Sequence, residues 1–377
     1  MTTESHKPTI LVVDDETGPR DALKVVLRPF FDLQMVETGK AALRVLKEQH
    51  IDLVTLDLKL PDRSGIELLQ EIKLDYPAVE VIIITGYGSL KSAMDGIRYG
   101  AAGYLLKPFN VMELIALVNQ TLQKKQRLDH LRAFLKLTAA QLDPVPDLAA
   151  AWNLYGHLYN GQGQGEQSAG RKPAQDSELM SFLSDLLEAK SRDLFNHSSR
   201  VSFFATRLGK QIELSGVERR ALAIGAFLHD IGRLGISEAC WRHDDPSNPR
   251  ERAEIERHPE IGARMIRPLN LPAEVSQIIA YHHEAYEGTG YPEGLQGEGI
   301  PLLARMVGLA QAFDQMLNNL VHQHSFSPEE AMRQLRSQSG SIFDPRLVDQ
   351  FAKVVGECKA SLPTFTTSFG PAIPSES

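Results

Sequence analysis

The chain has 377 residues, 42% of them hydrophobic and 23% charged, with a net charge of −8 and a pI near 5.9. That length exceeds one ordinary core and predicts two domains joined by a linker, and the acidic balance argues against DNA, since phosphate binding needs a basic surface. The longest apolar run, 79–85, has Glu80 inside it, no signal stretch opens the chain, and Cys240 and Cys358 make no disulfide framework; the expectation is a cytoplasmic protein without membrane insertion.

Residues 8–124 alternate apolar strand runs with helical spacing, which predicts a doubly wound parallel α/β sheet of the flavodoxin-like type. Residues 9–13, 53–56 and 81–84 read as buried parallel strands because they are near-continuous apolar runs. Residues 18–27, 40–49, 65–74 and 89–98 carry helical spacing. Asp14 and Asp15 follow the first strand, Asp57 ends the third, Thr85 ends the fourth and Lys107 precedes Pro108. Each lies at a strand's carboxyl end, where such folds place their functional crevice. Three carboxylates make a hard oxygen site suited to Mg²⁺, and Asp57 can act as a nucleophile toward a phosphoryl group. Thr85 would donate to a phosphoryl oxygen, and Lys107 would neutralise charge developing on it. Taken singly, an acidic pair after a strand is often only a helix cap.

As a set, the strings Leu11-Val12-Val13-Asp14-Asp15-Glu16, Asp57-Leu58-Lys59-Leu60-Pro61, Thr85-Gly86 and Lys107-Pro108-Phe109 resemble the response-regulator receiver family. The resemblance implies that Asp57 is the phospho-acceptor and that Asp14 and Asp15 help it hold Mg²⁺. It also implies that Thr85 and Tyr104 form a switch pair, and that the partner is a histidine kinase or phosphotransfer protein.

Residues 125–177 read as a helical connector and flexible linker. A helix begins at Asn110 and runs to about Gln141, with Leu114, Leu117, Leu128, Leu131 and Leu135 in one heptad frame that Thr121 and Lys124 interrupt. A dimeric coiled coil and a last receiver helix that simply overruns are both open readings. Pro144 and Pro146 end the helix, Trp152, Tyr155 and Tyr159 suggest a docked segment, and 160–177 is rich in Gly, Gln and Ser.

Residues 178–360 are helical in pattern and predict an all-α domain, broken by Gly/Pro-rich loops at 244–249 and 288–301, with a disordered tail over 361–377. This stretch holds eight of the twelve histidines. A lone helical histidine is usually a satisfied structural residue, but His229-Asp230 ends the apolar run 221–228, and His282-His283 leaves a helix into the Gly-rich loop that carries Gly290, Tyr291 and Pro292. Imidazole with carboxylate suits Fe, Mn or Zn, and a shared carboxylate can bridge two such ions. Two ions so held suit in-line displacement at a phosphoester.

The strings Ala226-Phe227-Leu228-His229-Asp230-Ile231-Gly232, His258-Pro259-Glu260-Ile261-Gly262, His282-His283-Glu284 through Gly290-Tyr291-Pro292, and Phe343-Asp344-Pro345 resemble the HD-GYP family, a branch of the HD phosphohydrolases. The resemblance implies metal-dependent hydrolysis of cyclic di-GMP, first to the linear dinucleotide and then to GMP. It implies His197, His229, Asp230, His258, His282 and His283 as ligands to two divalent transition metals such as Fe or Mn, with Asp230 bridging. Asp193, one turn before His197, stands where the three-metal branch of the family has Glu, so a third ion is open. Arg233 and the Gly290-Tyr291-Pro292 loop would meet substrate phosphates.

Three departures fall on chemistry. Gln311 stands where the family has a ligating Asp, in Gln311-Ala312-Phe313-Asp314-Gln315-Met316, and Asp314 matches a different family position although it could swing in. Asn319-Leu320-Val321-His322-Gln323 lacks the cations of the family's phosphate-holding segment, and Arg233 replaces a Lys. Two main readings follow: a phosphorylation-controlled phosphodiesterase, or a catalytically silent module that senses a nucleotide or binds a protein partner. A homodimer and hydrolysis of another phosphoester are also open.

Overall fold

The computed structural model describes residues 7–139, 146–159, 176–237, 240, 248–318 and 326–358. Of the segment read as a flexible linker (160–177), residues 160–175 lie outside the described residues, while 176 and 177 open a helix; the altered phosphate-holding segment (319–323) and the tail (361–377) also lie outside them. The chain divides into two compact units, Met1–His130 and Leu131–Ser377.

The first unit is a five-stranded parallel sheet of β1 (Thr9–Val13), β2 (Asp32–Val36), β3 (Leu53–Leu56), β4 (Glu80–Thr85) and β5 (Gly103–Leu106), in the order β2-β1-β3-β4-β5. Alternate side chains along a strand leave opposite faces, and both faces here are covered. Leu11, Val13, Val54, Leu56, Val81 and Ile83 pack with Ala42 and Leu46 of α2 (Gly39–Glu48) and with Leu68 and Ile72 of α3 (Gly65–Asp75). Ile10, Val12, Leu53, Ile82 and Ile84 pack on the other face with Leu23 and Leu27 of α1 (Thr17–Leu27) and Leu114 and Val118 of α5 (Val111–Ala139). Two-sided burial is why the central strands read as continuous apolar runs. Strands β2 and β5 did not read that way because both are edges: β2 is exposed to half-buried throughout, and β5 has four residues beginning at a glycine.

Register sets the site. Val13 pairs Leu56, Leu56 pairs Ile83 and Thr85 pairs Leu106, so the residues at or just beyond these ends share one edge of the sheet. α4 (Leu90–Arg98) flanks β5, held by a capping box between Ser89 and Ser92. The division between the units falls within α5. Leu114, Leu128, Leu131 and Leu135 of its heptad frame are buried, so most of that stripe is not presented to solvent.

Among its described residues the second unit is all helical: α6 (Leu148–Tyr159), α7 (Asp176–Lys190), α8 (Arg192–Gln211), α9 (Gly216–Leu228), a 3₁₀ turn at Ile231–Gly235, α10 (Pro249–Ile255), α11 (His258–Met265), α12 (Ala273–Tyr281), α13 (Leu302–Leu317), α14 (Pro328–Ser337) and α15 (Pro345–Cys358). Trp152 of α6 meets Phe182 of α7 edge-on at 5.2 Å, so this helix docks through Trp152. Phe204, Phe313 and Phe351 form an edge-to-face trio with centroids 5.1–6.2 Å apart, tying α8, α13 and α15 together. Asp344 accepts from Arg346 N–H at the start of α15 and from Arg305 of α13. One loop boundary needs correction: Pro249 opens α10 with Asn248 as its cap, since a proline at the first turn gives up no helical hydrogen bond.

Candidate functional site

In the first unit Lys107 Nζ donates to Asp14 Oδ2 at 2.7 Å and to Asp57 Oδ2 at 2.5 Å, while Thr85 Oγ1 donates to Asp57 Oδ1 at 3.0 Å. Asp14 and Asp57 are buried and Asp15 is exposed beside them. Burial raises the pKa of Asp14 although Lys107 opposes it. Burial alone would lower the pKa of Lys107, but hydrogen bonds and charge from Asp14 and Asp57 outweigh it, and the value is raised. The carboxylates of Asp14 and Asp57 thus converge on one point of positive charge. Tyr104 places its hydroxyl 2.9 Å from Ser92 Oγ on α4.

Among the described residues of the second unit, five imidazoles gather around one carboxylate. His197, His229 and Asp230 form one group of potential ligand atoms, and Asp230, His258, His282 and His283 form another, with atoms in each group within 4.8 Å of one another. Asp230 belongs to both. Its Oδ1 lies 3.1 Å from His258 Nε2 and 3.8 Å from His282 Nε2, and its Oδ2 lies 3.6 Å from His229 Nε2 and 3.8 Å from His197 Nε2. Backbone packing enforces the meeting: at Gly232 a Cβ would stand 1.8 Å from the carbonyl oxygen of His258, so only glycine lets the turn after Asp230 reach α11.

The tautomers follow from acceptors. His229 Nδ1 lies 2.7 Å from the Ala226 carbonyl, His258 Nδ1 2.7 Å from that of Ile255, and His282 Nδ1 3.0 Å from that of Ile279. A carbonyl oxygen only accepts, so each Nδ1 carries the hydrogen and each Nε2 presents a lone pair. His197 lies mid-helix and uses a side chain instead, its Nδ1 2.8 Å from Asp314 Oδ2. The lone pairs then face one another: His229 Nε2 is 3.3 Å from His197 Nε2, and His258 Nε2 is 3.3 Å from His282 Nε2. Without a cation such contacts are repulsive. Two nitrogens bound to one ion at about 2.1 Å in tetrahedral array stand about 3.4 Å apart, so the residues fit divalent metal ions.

Electrostatics agree. Burial pushes His229 down to about 4 and holds His282 and His283 well below the usual imidazole range. Burial would raise Asp230, but Arg233 and the surrounding histidines hold it well below the usual carboxylate range. His229, His282 and His283 are therefore held as neutral imidazole beside an ionised Asp230, the forms that bind metal.

The other expected residues are placed as follows. Asp193 is exposed on the first turn of α8 and joins neither group. Asp314 is buried with both oxygens occupied, by His197 and by Arg200 Nε at 2.6 Å and Nη2 at 3.0 Å; it orients a ligand rather than serving as one. Gln311 is buried on α13. Arg233 Nε lies 2.9 Å from Asp230 Oδ2. Tyr291 stacks on His283 with centroids 4.7 Å apart, and its N–H donates to the His283 carbonyl, folding the Gly290-Tyr291-Pro292 loop back on the cluster. Two contributors were not singled out from sequence. Arg200, one turn after His197, holds Asp314, and Glu284 accepts from Glu293 N–H at 2.8 Å and Leu295 N–H at 2.9 Å to brace that loop.

These two sites define a phosphoacceptor-type α/β unit and a histidine-rich all-α metal-binding unit. Residues 10–119 match the family model of the response regulator receiver domain, and residues 181–347 match that of the HD domain. The chain is a response regulator receiver domain followed in the same polypeptide by an HD domain. It is similar to a cyclic di-GMP phosphodiesterase of Thermotoga maritima, 26% identical over 93% of this chain and 91% of that protein. It is also similar to the cyclic di-GMP phosphodiesterase response regulator RpfG of Xanthomonas campestris pv. campestris, 27% identical over 95% of this chain and 91% of that one. A 3'3'-cGAMP-specific phosphodiesterase of Vibrio cholerae is 29% identical over 49% of this chain and 37% of its own length. Among the described residues no helix is long and apolar enough to cross a membrane.

Proposed function

We propose that the HD domain hydrolyses a cyclic dinucleotide of the cyclic di-GMP class at a two-metal centre, under control of phosphorylation at Asp57. The observation that carries this reading is the pair of ligand groups joined through Asp230, with every assigned tautomer presenting Nε2 inward. His197 and His229 would hold one ion, His258, His282 and His283 the other, with Asp230 between them; Fe or Mn suits this donor set. When bound, the ions would supply Lewis-acid polarisation of a phosphoryl oxygen and activation of water. The protein's own contribution is to keep His229, His282 and His283 neutral by burial, to fix the tautomers, and to stack Tyr291 on His283. The names of full-length relatives support cyclic di-GMP as substrate, and the partial relative favours the wider class of cyclic dinucleotides.

In the receiver, Asp57 would accept a phosphoryl group from a histidine kinase or phosphotransfer protein, with Mg²⁺ on Asp14, Asp15 and Asp57. Thr85 and Lys107 already bond to Asp57 and would follow the new oxygens; Tyr104 would respond as the switch partner. The test is hydrolysis of cyclic di-GMP by phosphorylated protein loaded with Fe²⁺ or Mn²⁺, beside His229→Ala. Linear dinucleotide from wild type alone is the expected result, and rates equal in both proteins would sink the proposal.

The second reading, a silent HD module, is favoured by Gln311, where the family's acidic ligand is replaced by a neutral amide. Binding of cyclic di-GMP without turnover by metal-saturated protein would select it.

A further inference from the structure

We propose that the two halves of this centre hold metal unequally, the His197 half weakly and the His258 half tightly, and that Arg233 and Gln311 set the difference. The inference rests on the two-metal reading. The tighter half offers three imidazoles, of His258, His282 and His283, with Asp230 Oδ1. The Nε2 of His283 is fully buried and has no hydrogen-bond partner, as suits a nitrogen kept for an ion.

The other half offers two imidazoles, of His197 and His229, with Asp230 Oδ2. That oxygen is contested. Arg233 Nε stands 2.9 Å from it, nearer than His229 Nε2 at 3.6 Å or His197 Nε2 at 3.8 Å. A permanent guanidinium charge therefore leans on the oxygen that an ion would need, and it repels that ion.

Gln311 adds to the deficit. On α13 Asp314 is bonded to His197, and Gly308 lies so near His282 that a Cβ would stand 2.6 Å from the carbonyl oxygen of His282. Gln311 falls between these two anchors, three residues from each, on the same side of the helix. It is 3% exposed, and its Oε1 is buried without a hydrogen-bond partner. A buried amide oxygen left unsatisfied beside a histidine cluster is placed to meet a cation. Being neutral, it can fill a coordination position but cancels no charge. Among the described residues a single carboxylate, Asp230, is then shared by two dications, and the shortfall lands on the half that Arg233 already faces. The tighter half fills first, and the His197 half fills only as the metal concentration rises.

The experiment strips the full-length protein with chelator and titrates it with Co²⁺, followed by visible ligand-field absorption and calorimetry. The histidine cluster, read by its ligand-field bands, should bind two equivalents in two steps, separated by at least about 10-fold in affinity, the scale of one lost supporting contact. His197→Ala should delete the weak step and keep the strong one. Gln311→Asp should tighten the weak step by about 10–100-fold and leave the strong step in place. Should Gln311→Asp fail to fold by circular dichroism, Arg233→Gln gives the same comparison, with tightening confined to the weak step. Two equal equivalents in wild type would overturn the inequality while leaving the two-metal reading intact. Tightening of the strong step instead would overturn the roles of Gln311 and Arg233. No Co²⁺ bound at all would overturn the two-metal reading, and this proposal with it.

Discussion

The two sites set opposite electrostatic problems. At the receiver edge the excess is negative charge, from Asp14, Asp57 and the exposed Asp15, and the chain supplies its own counter-charge in Lys107 at 2.5 and 2.7 Å. In the HD domain the excess is of inward lone pairs around one carboxylate, with burial keeping His229, His282 and His283 neutral. The receiver carries part of its counter-charge within its own chain. The HD centre is arranged so that only added cations relieve the facing nitrogens. On the proposed reading, one site is switched by a covalent group and the other is filled by metal.

The sharpest way to break this comparison is to remove the acidic residue at each centre. Asp230→Asn should abolish cyclic di-GMP hydrolysis and metal retention while leaving phosphoryl uptake from acetyl phosphate, read by intact mass, unchanged. Asp57→Asn should take up no phosphoryl group yet keep the visible absorption of Co²⁺ bound at the histidine cluster. A variant that lost both readouts would show that the sites are not separate chemistries.

Next in size is the support beneath the HD centre. Phe313→Ala opens the trio with Phe204 and Phe351, two residues from Gln311 and one from Asp314. Denaturant unfolding should report a loss of about 3–5 kcal/mol in the HD transition, with receiver phosphorylation retained. A smaller loss is expected for Asp314→Asn, which weakens the hold on His197 Nδ1; affinity of the weaker metal step should fall by about 10–100-fold. Equal weakening of both steps would contradict the orienting role.

Acid separates the two domains more gently. His229 is depressed from 6.5 to about 4 by burial, so a protonation that the unfolded chain accepts is refused by the folded one. Metal-stripped HD domain should be indifferent to pH above about 6.5 and lose stability steadily as pH falls toward 4, by an amount on the order of a few kcal/mol. In the receiver, burial would raise Asp52, but the Thr9 N–H and Lys125 hold it below 3.8. Its contribution is present above 3.8 and is lost only as pH falls through that lower value. Thermal melts across pH should therefore show the HD transition moving first.

Much of this was legible in the sequence, for physical reasons that differ by region. The central strands declared themselves because both of their faces are buried, while β2 and β5 hid behind edge exposure. His229, His258 and His282 each take their Nδ1 acceptor from a carbonyl three residues upstream, so local strings carry nearly the whole motif. His197 does not: its acceptor, Asp314, lies 117 residues away, and only the packing of α8 against α13 brings them together. For the same reason Asp314 was open to reading as a ligand, and Arg200 went unnoticed. Asp193 had the right spacing on α8 but sits on its exposed side.

The central claim is that one carboxylate joins two metal ions in the HD domain. It is tested most directly by electron paramagnetic resonance of the full-length protein at saturating Mn²⁺, beside Asp230→Asn. The account predicts the signature of a spin-coupled Mn²⁺ pair in wild type that vanishes in the variant. Signals of isolated Mn²⁺ alone, or coupling that survives Asp230→Asn, would contradict it.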